Sequence, residues 1–473
     1  MVWIIAKKEL LDHLVSLRFA FVIVLTLMLN IVLGVVFPRE YQRMIEMKAD
    51  DEKFAMESLR MRSNSLARVG LGGPSLILKH PSDLGFITWG GEKDLPRLIN
   101  GRPPFWGFTT APWVLEYEDT ESTLYRKSRL IPFELDLDWG FIIGVVMSLT
   151  SIALMFDRIC GEREGRTLGL MLANPVSRSS ILLGKYLGTL LALAIPLLSG
   201  MLICLLIARV SIGVEKLLLI LMAFLASLVY LSIFLLLSLA ISSKSASSLA
   251  SLIFLLLIWI FFVVFVPDII SLLSKKIVPI TPGKVFEQQK KAYLDGLKEE
   301  YYRRKGYLNV LPSKDPKNRV VIERWGRYLE EYQKTLEVLR DRRLDQMLRQ
   351  VEMARMLGRI SPYQVYLYVL EAAAGTGFTH HKAFVKSVRK YREAFRRFIA
   401  EKDAEDPESF HILYVEEGIS KRPIALREIP IFRDSYGIGE WMRYGAMDMG
   451  ILFLSAALAA LLSYLSFMKA DVR

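Results

Sequence analysis

Apolar positions along this chain are gathered into long blocks rather than spread at the mixed spacing of a soluble domain. A bilayer core of roughly 30 Å takes about 20 helical residues. Six stretches reach or approach that length: residues 17–37, 139–156, 181–208, 217–242, 249–273 and 445–468. Segments dense in Lys, Arg and Glu separate them. The pattern predicts an all-α polytopic membrane protein with six transmembrane helices and sizeable water-facing parts. Pro196 lies inside the third run and predicts a bend there, which a helix bundle tolerates.

The chain opens with "MVWIIAKKELLDHLVSLR". At helical spacing Trp3, Ile4, Leu10, Leu11, Leu14, Val15 and Leu17 share one face. Glu9, Asp12, His13 and Ser16 share the other. Lys7 and Arg18 fall in the apolar arc, where long cationic side chains snorkel to headgroups. Residues 1–16 therefore read as an interfacial helix lying on the membrane. No small-residue cleavage site follows, so the first run is not read as a signal peptide.

Two long loops, 38–138 and 274–444, leave the same face of the six-span arrangement. The first begins with a charged helical pattern from Arg39 to Arg68. It continues through turn-rich "GLGGPSLILKHPSDLGFITWGGEKDLP" and aromatic "PPFWGFTTAPWVLEYE". The second carries helical patterns over residues 284–307, 319–357 and 378–400, then two strand-like runs, "HILYV" from His411 and "IALREIPIF" from Ile424. Together the loops predict one extracytoplasmic domain, mainly helical with a little β. With the N-terminus in the cytoplasm, the interior segments 1–16, 157–180, 243–248 and 469–473 hold more Lys and Arg than the short exterior loop 209–216, which favours that orientation.

Charge and chemistry narrow the reading. The net charge of +12 could suggest nucleic acid, but no nucleic-acid module is legible, and basic loops facing anionic headgroups account for it. Cys160 and Cys204 lie in a charged turn and deep in an apolar run, so no disulfide framework is implied. No P-loop, H-E-x-x-H or G-x-S-x-G pattern occurs. His380 and His381 are adjacent, hence about 100° apart on a helix, a poor metal pair. Asp268 and Asp448 fall near the outer ends of their spans, where charge costs little. No ionisable group is read at mid-depth, so an ion-coupled carrier is disfavoured and energy is expected from outside the chain.

The loop between the second and third spans, residues 157–180, carries "CGEREGRTLGLMLANPVSRSSILLGK". Glu162, Arg163 and Glu164 are placed at the start of a helix, where acidic groups suit the dipole. Thr167, Leu168, Leu170, Met171 and Leu172 form a compact apolar element that Pro175 stops. Such an element lies on lipid or docks in a partner's groove.

The run from "FELDLDWGFIIGVV" through "CGEREGRTLGLMLANPVSRSSILLGK" resembles permease subunits of the ABC-2 type, matching at Glu162, Arg163, Glu164, Thr167, Leu168, Asn174, Pro175, Val176, Arg178, Gly184 and Lys185. It departs at Arg166, where that family usually has Gly. "GPSLILKHPSDLGFITWGGEKDLP" and "ISPYQVYLYVLEAAAGTGFTHHKAFVKSVRKYREAFRRFI" resemble further segments of the same family, the second a domain of unknown function in one branch.

The resemblance implies a six-span permease, an exporter by family habit, in the plasma membrane of a prokaryote with both termini cytoplasmic. It would pair with a second copy or a related permease subunit around a central path. Separate ABC ATPase subunits would carry ATP and Mg, so this chain needs no cofactor. They would grip the loop between spans two and three together with the N-terminal helix. Glu162 and Glu164 are then expected as polar contacts, with Arg163 and Thr167 beside them and Leu168 and Leu172 as the inserted apolar face. Membrane lipid, and an extracytoplasmic partner of the large domain, complete the expected contacts. Two rival readings stay open: force transmission to that external partner without transport, and a sensor or scaffold with no ATPase. A membrane enzyme has no visible catalytic set behind it.

Overall fold

Ser16 ends one helix and begins another. Its hydroxyl donates to the His13 carbonyl at 2.7 Å and accepts from the Phe19 N–H at 3.2 Å. Helix α1 (Val2–Leu14) is thereby turned against α2 (Leu17–Arg62), the first of six helices among the described residues long and apolar enough to cross a bilayer. The computed structural model describes residues 1–73, 77–78, 80–88, 107–111, 114–116, 137–173, 176–210, 213–305, 318–432 and 438–469. Helix α2 passes Pro38 without a break, so the first span and the charged pattern beyond it form one rod rather than a span and a loop helix.

The second span, α4, covers residues 139–155. Its start is capped by Asp138, whose side chain accepts from the Phe141 N–H at 2.7 Å, and its turns widen to π-helix over Ile142–Met147. Two short helices follow, α5 (Cys160–Glu164) and α6 (Thr167–Ala173). Then come α7 (Arg178–Ala208), α8 (Val214–Lys244) and α9 (Ser248–Ile277). Helix α7 runs unbroken through the buried Pro196. The sixth span closes α14 (Ile438–Met468). Many side chains on the outer faces of these helices are large, apolar and exposed, among them Phe21, Met28, Leu206, Leu218, Phe254 and Leu458. Lipid is the medium that makes such a surface stable. The chain is a multi-pass all-α membrane protein.

The two long loops share a core, as expected. Leu59 at the far end of α2 and Leu66, Ala67 and Val69 of α3 (Leu66–Gly72) pack with Leu344, Phe384, Val388, Phe395 and Ile399 from the second loop. Those residues lie on α11 (Arg319–Gly358) and α13 (Gly377–Ala404); α10 (Gly283–Lys305) packs along α11. Charged side chains tie the same helices: Arg392 meets Glu337 at 2.9 Å and Arg396 meets it at 2.6 Å.

The β structure lies elsewhere than expected. Residues 411–415 and 424–432 are irregular chain, with a 3-10 turn directly after the first run at Glu416–Gly418 and another inside the second at Leu426–Glu428. His411 has φ +56°, outside strand geometry. The apolar residues of these runs serve helices instead: Ile412 fills the space left by Gly326, and Ile429 joins the shared core. Asp403 holds the intervening backbone, accepting from the Ser420 N–H at 2.7 Å. Among the described residues, strand pairing occurs in the first loop, where β1 (Ile77–Leu78), β2 (Gly107–Ala111) and β3 (Val114–Glu116) form an antiparallel order β1-β2-β3. The remainder of the aromatic segment lies outside the described residues.

One helix of the second loop is seated among the spans. Ser361 and Pro362 start α12 (Pro362–Ala374), and Gly375 in the left-handed region ends it. Its residues from Val365 onward are largely buried, and it packs between α8 and α14. Tyr366 stacks on Tyr230, near the middle of α8, with ring centroids 4.5 Å apart. The Ser361 hydroxyl donates to the Phe262 carbonyl at 2.7 Å, and Tyr230 donates to the Gly144 carbonyl at 2.7 Å. Both acceptors lie in π-helical turns, where the wider ring leaves carbonyls available to side chains. Asp448 is not at a wet interface as expected; it is buried and bound to Arg359 Nε at 2.7 Å. Asp268 is exposed.

Candidate functional site

The charged residues after Cys160 do not project outward as a group. Each of three consecutive side chains is tied to a different span. Glu162 accepts from Lys185 Nζ on α7 at 2.6 Å. Arg163 donates to the Ser243 and Ser245 carbonyls at 2.6 and 3.3 Å, at the C-terminal end of α8, where a cation suits the exposed carbonyls. Glu164 accepts from the Ser248 N–H at 2.9 Å and its hydroxyl at 2.6 Å, at the N-terminal end of α9, where an anion suits the exposed amides. The Ser242 hydroxyl completes the clasp by accepting from the Ile159 and Cys160 N–H groups at 3.2 and 3.1 Å.

Lys185 is the pivot. It is 1% exposed and reaches Glu9 on α1 at 2.8 Å as well as Glu162. Glu9 also meets Arg158 at 3.3 Å. Arg158 Nη2 donates to His13 Nδ1 at 3.0 Å, so Nε2 carries the ring proton and donates to Thr189 Oγ1 at 2.9 Å. Burial, then the Arg158 charge, push the His13 imidazole down to about 4, so it is neutral near pH 7. Burial would raise the Glu9 carboxyl, but Lys185 and Arg158 outweigh it and hold Glu9 below the usual range. Two carboxylates face two cations, and the cluster is neutral as a whole.

This reverses the expected use of the α1 polar face. Glu9 and His13 are buried against α7 and Arg158, while Trp3, Ile4, Leu11 and Leu14 face out. Glycines permit the approach: a Cβ at Gly184 would lie 2.6 Å from the Ile5 Cβ, and one at Gly188 would lie 2.7 Å from the Ala6 carbonyl oxygen. A helix with Glu9 and His13 satisfied by protein and its apolar side open fits a lipid surface.

The model of the family described as "ABC-2 family transporter protein" matches residues 3–472. The chain belongs to the ABC-2 transporter family. Two relatives are each named "Probable ABC transporter permease protein NosY". The one from Stutzerimonas stutzeri is 42% identical over 73 residues, 14% of this chain and 26% of that protein. The one from Pseudomonas aeruginosa is 47% identical over 55 residues, 12% of this chain and 20% of that protein. The aligned parts thus span about a quarter and a fifth of those relatives.

In this ABC-2 protein the expected site residues divide by direction. Glu162 and Arg163 are half-buried in the clasp, and Glu164 sits at its rim. Leu168 is 2% exposed and belongs to the bundle's own core, so it is not an outward apolar face. Thr167 is exposed, as are its neighbours Arg166 and Leu170, the last at 71%. The Leu172 side chain, Asn174 and Pro175 lie outside the described residues. Arg166 has φ +57°, which explains why glycine suits this turn. Sequence reasoning missed Glu9, His13, Arg158 and Lys185 as one unit. The available signal was Lys185 itself, an ionisable residue one turn inside an apolar run.

Proposed function

We propose that this chain is the membrane-spanning permease subunit of an ABC transporter, an exporter driven by separate ATPase subunits that dock on residues 157–180. The supporting observation is the family match across residues 3–472, joined to a clasp in which α5 bonds to α7, α8 and α9 at once. A segment so fixed behaves as a lever, because a push on α5 and α6 is delivered to several spans without slack. The reading places both termini in the cytoplasm, α1 on the inner membrane surface, and the loop domain outside. ATP and Mg belong to the docking subunit. The outward positions Arg166, Thr167 and Leu170 meet that subunit, while Glu162, Arg163 and Glu164 anchor the lever, and two copies of the permease, or two related ones, enclose the path.

The test is purification from the native membrane and reconstitution. A P-loop hydrolase is expected to accompany the wild type and to be lost from Leu170→Asp, with membrane insertion unchanged. A wild-type preparation without nucleotide hydrolase rejects the reading in favour of a scaffold.

A further inference from the structure

We infer that Lys185 is a positioning residue that makes α1 and segment 160–173 move as one body. The inference rests on the reading of that segment as an ATPase-driven lever, and adds how its motion is shared. Lys185 is almost wholly buried and bridges two carboxylates on elements far apart in the chain, Glu9 at 2.8 Å and Glu162 at 2.6 Å. Nothing in the sequence between α1 and α5 keeps them together, since the whole first loop intervenes.

Helix α1 is seated on α7, with Ala6 wholly buried and His13 bonded to Thr189, and reaches α5 through Lys185. Its apolar face is exposed, with Trp3 and Ile4 each more than half accessible. Its contacts at Gly184 and Gly188, where Ile5 and Ala6 seat against α7, set the distance between the two helices but do not reach α5. A buried carboxylate–ammonium–carboxylate bridge differs. Lys185 is 1% exposed, so parting it from its carboxylates removes the compensation of a charge held out of water, which is strongly unfavourable. Displacement of Glu162 therefore carries Lys185, and Lys185 carries Glu9 and with it α1. Arg158 reinforces the bridge through Glu9 and His13. By contrast, the bonds of Glu164 to Ser248 are exposed and exchange readily with water.

The experiment uses the complex of this chain with its co-purified ATPase in liposomes. Spin labels at the exposed Lys8→Cys and Val214→Cys positions report the distance between α1 and the end of α8 remote from the clasp. Wild type is expected to change this distance between the nucleotide-free and ATP-bound states. Glu9→Gln is expected to lose the change and most of the stimulated kcat, while retaining ATPase stoichiometry and the KM for ATP. Lys185→Met, if it assembles, behaves likewise. The inference is overturned if wild-type α1 does not move with ATP, if Glu9→Gln moves as wild type, or if Glu9→Gln sheds the ATPase. Absence of any hydrolase from the wild type instead overturns the proposed function, and this inference with it.

Discussion

Lys185 Nζ lies 2.6 Å from Glu162 Oε1, joining a side chain that the hydropathy pattern places inside a span to one it places in a loop. Lys185 also holds Glu9, so its removal leaves two buried or half-buried carboxylates without their shared cation. Lys185→Met is expected to cost about 3–5 kcal/mol, the usual penalty for breaking a buried ion pair from one side. Glu9→Gln should cost less, because Lys185 keeps Glu162. A double-mutant cycle on thermal unfolding in detergent checks this, with a coupling of at least ~1 kcal/mol expected between positions 9 and 185. Additive effects would mean the bridge contributes nothing as a unit.

Acid should loosen α1 before it affects the bundle. The folded-state His13 ring titrates at about 4 and the free imidazole at 6.5. The unfolded state therefore binds more protons between those values, and stability falls as pH drops through that window. Above pH 6.5 the term is flat. The gap corresponds to roughly 3 kcal/mol at its limit. Glu9, held low by Lys185 and Arg158, adds a loss in the same direction once pH falls below the ordinary carboxylate range. Proteolysis at Lys7 and Lys8, followed from pH 7 to pH 5, should accelerate. In His13→Asn the acceleration should be absent.

The six apolar spans, a separate helix before the first of them and a core shared by the two loops were legible because each depends on the period and length of apolar runs. What was not legible depends on distant partners. Glu9 and His13 look like a wetted face until α7 is brought beside them. The run at His411 has the alternation of a strand, yet its apolar residues are claimed by helices at Gly326 and in the shared core. Helix α12 has the composition of a buried helix, and only its seat beside Tyr230 says that the spans do the burying. Leu168 and Leu170 are one helical turn's neighbours of the same type, and local sequence cannot say which of the two the bundle covers.

Close approach of α1 to α7 depends on Gly188, where a Cβ would meet the Ala6 backbone oxygen at 2.7 Å and the Glu9 Cβ at 2.7 Å. Backbone on one side cannot yield without moving the helix. Gly188→Val is expected to lift α1 and break the Glu9–Lys185 contact. Hydrogen exchange of residues 2–14 should rise at least tenfold while the α8 amides remain protected. Unchanged exchange would show that the helices have slack between them.

The turn at Arg166 stores a small strain. A left-handed conformation costs a non-glycine residue roughly 1 kcal/mol, and the Arg166 side chain is exposed. Arg166→Gly is expected to raise the unfolding temperature slightly, with Arg166→Val lowering it by more. If the outward face of this turn meets an ATPase, the glycine variant should also weaken binding through loss of the guanidinium, which separates the two effects in one protein.

The seat of α12 offers a test of hydrogen-bond asymmetry. The Ser227 hydroxyl donates to the Ala223 carbonyl at 2.7 Å, so the Tyr366 hydroxyl, 2.9 Å away, is the donor to Ser227. Tyr366→Phe removes one bond and leaves Ser227 satisfied by its own helix; about 1 kcal/mol is expected. Ser227→Ala strands a buried phenol, and about 1–3 kcal/mol is expected. The pair together should cost less than Ser227→Ala alone, because the orphaned donor goes with the second substitution. Thermal unfolding of the four proteins in one detergent decides it. If the double variant is the least stable, the Tyr366 hydroxyl finds another partner once Ser227 is removed.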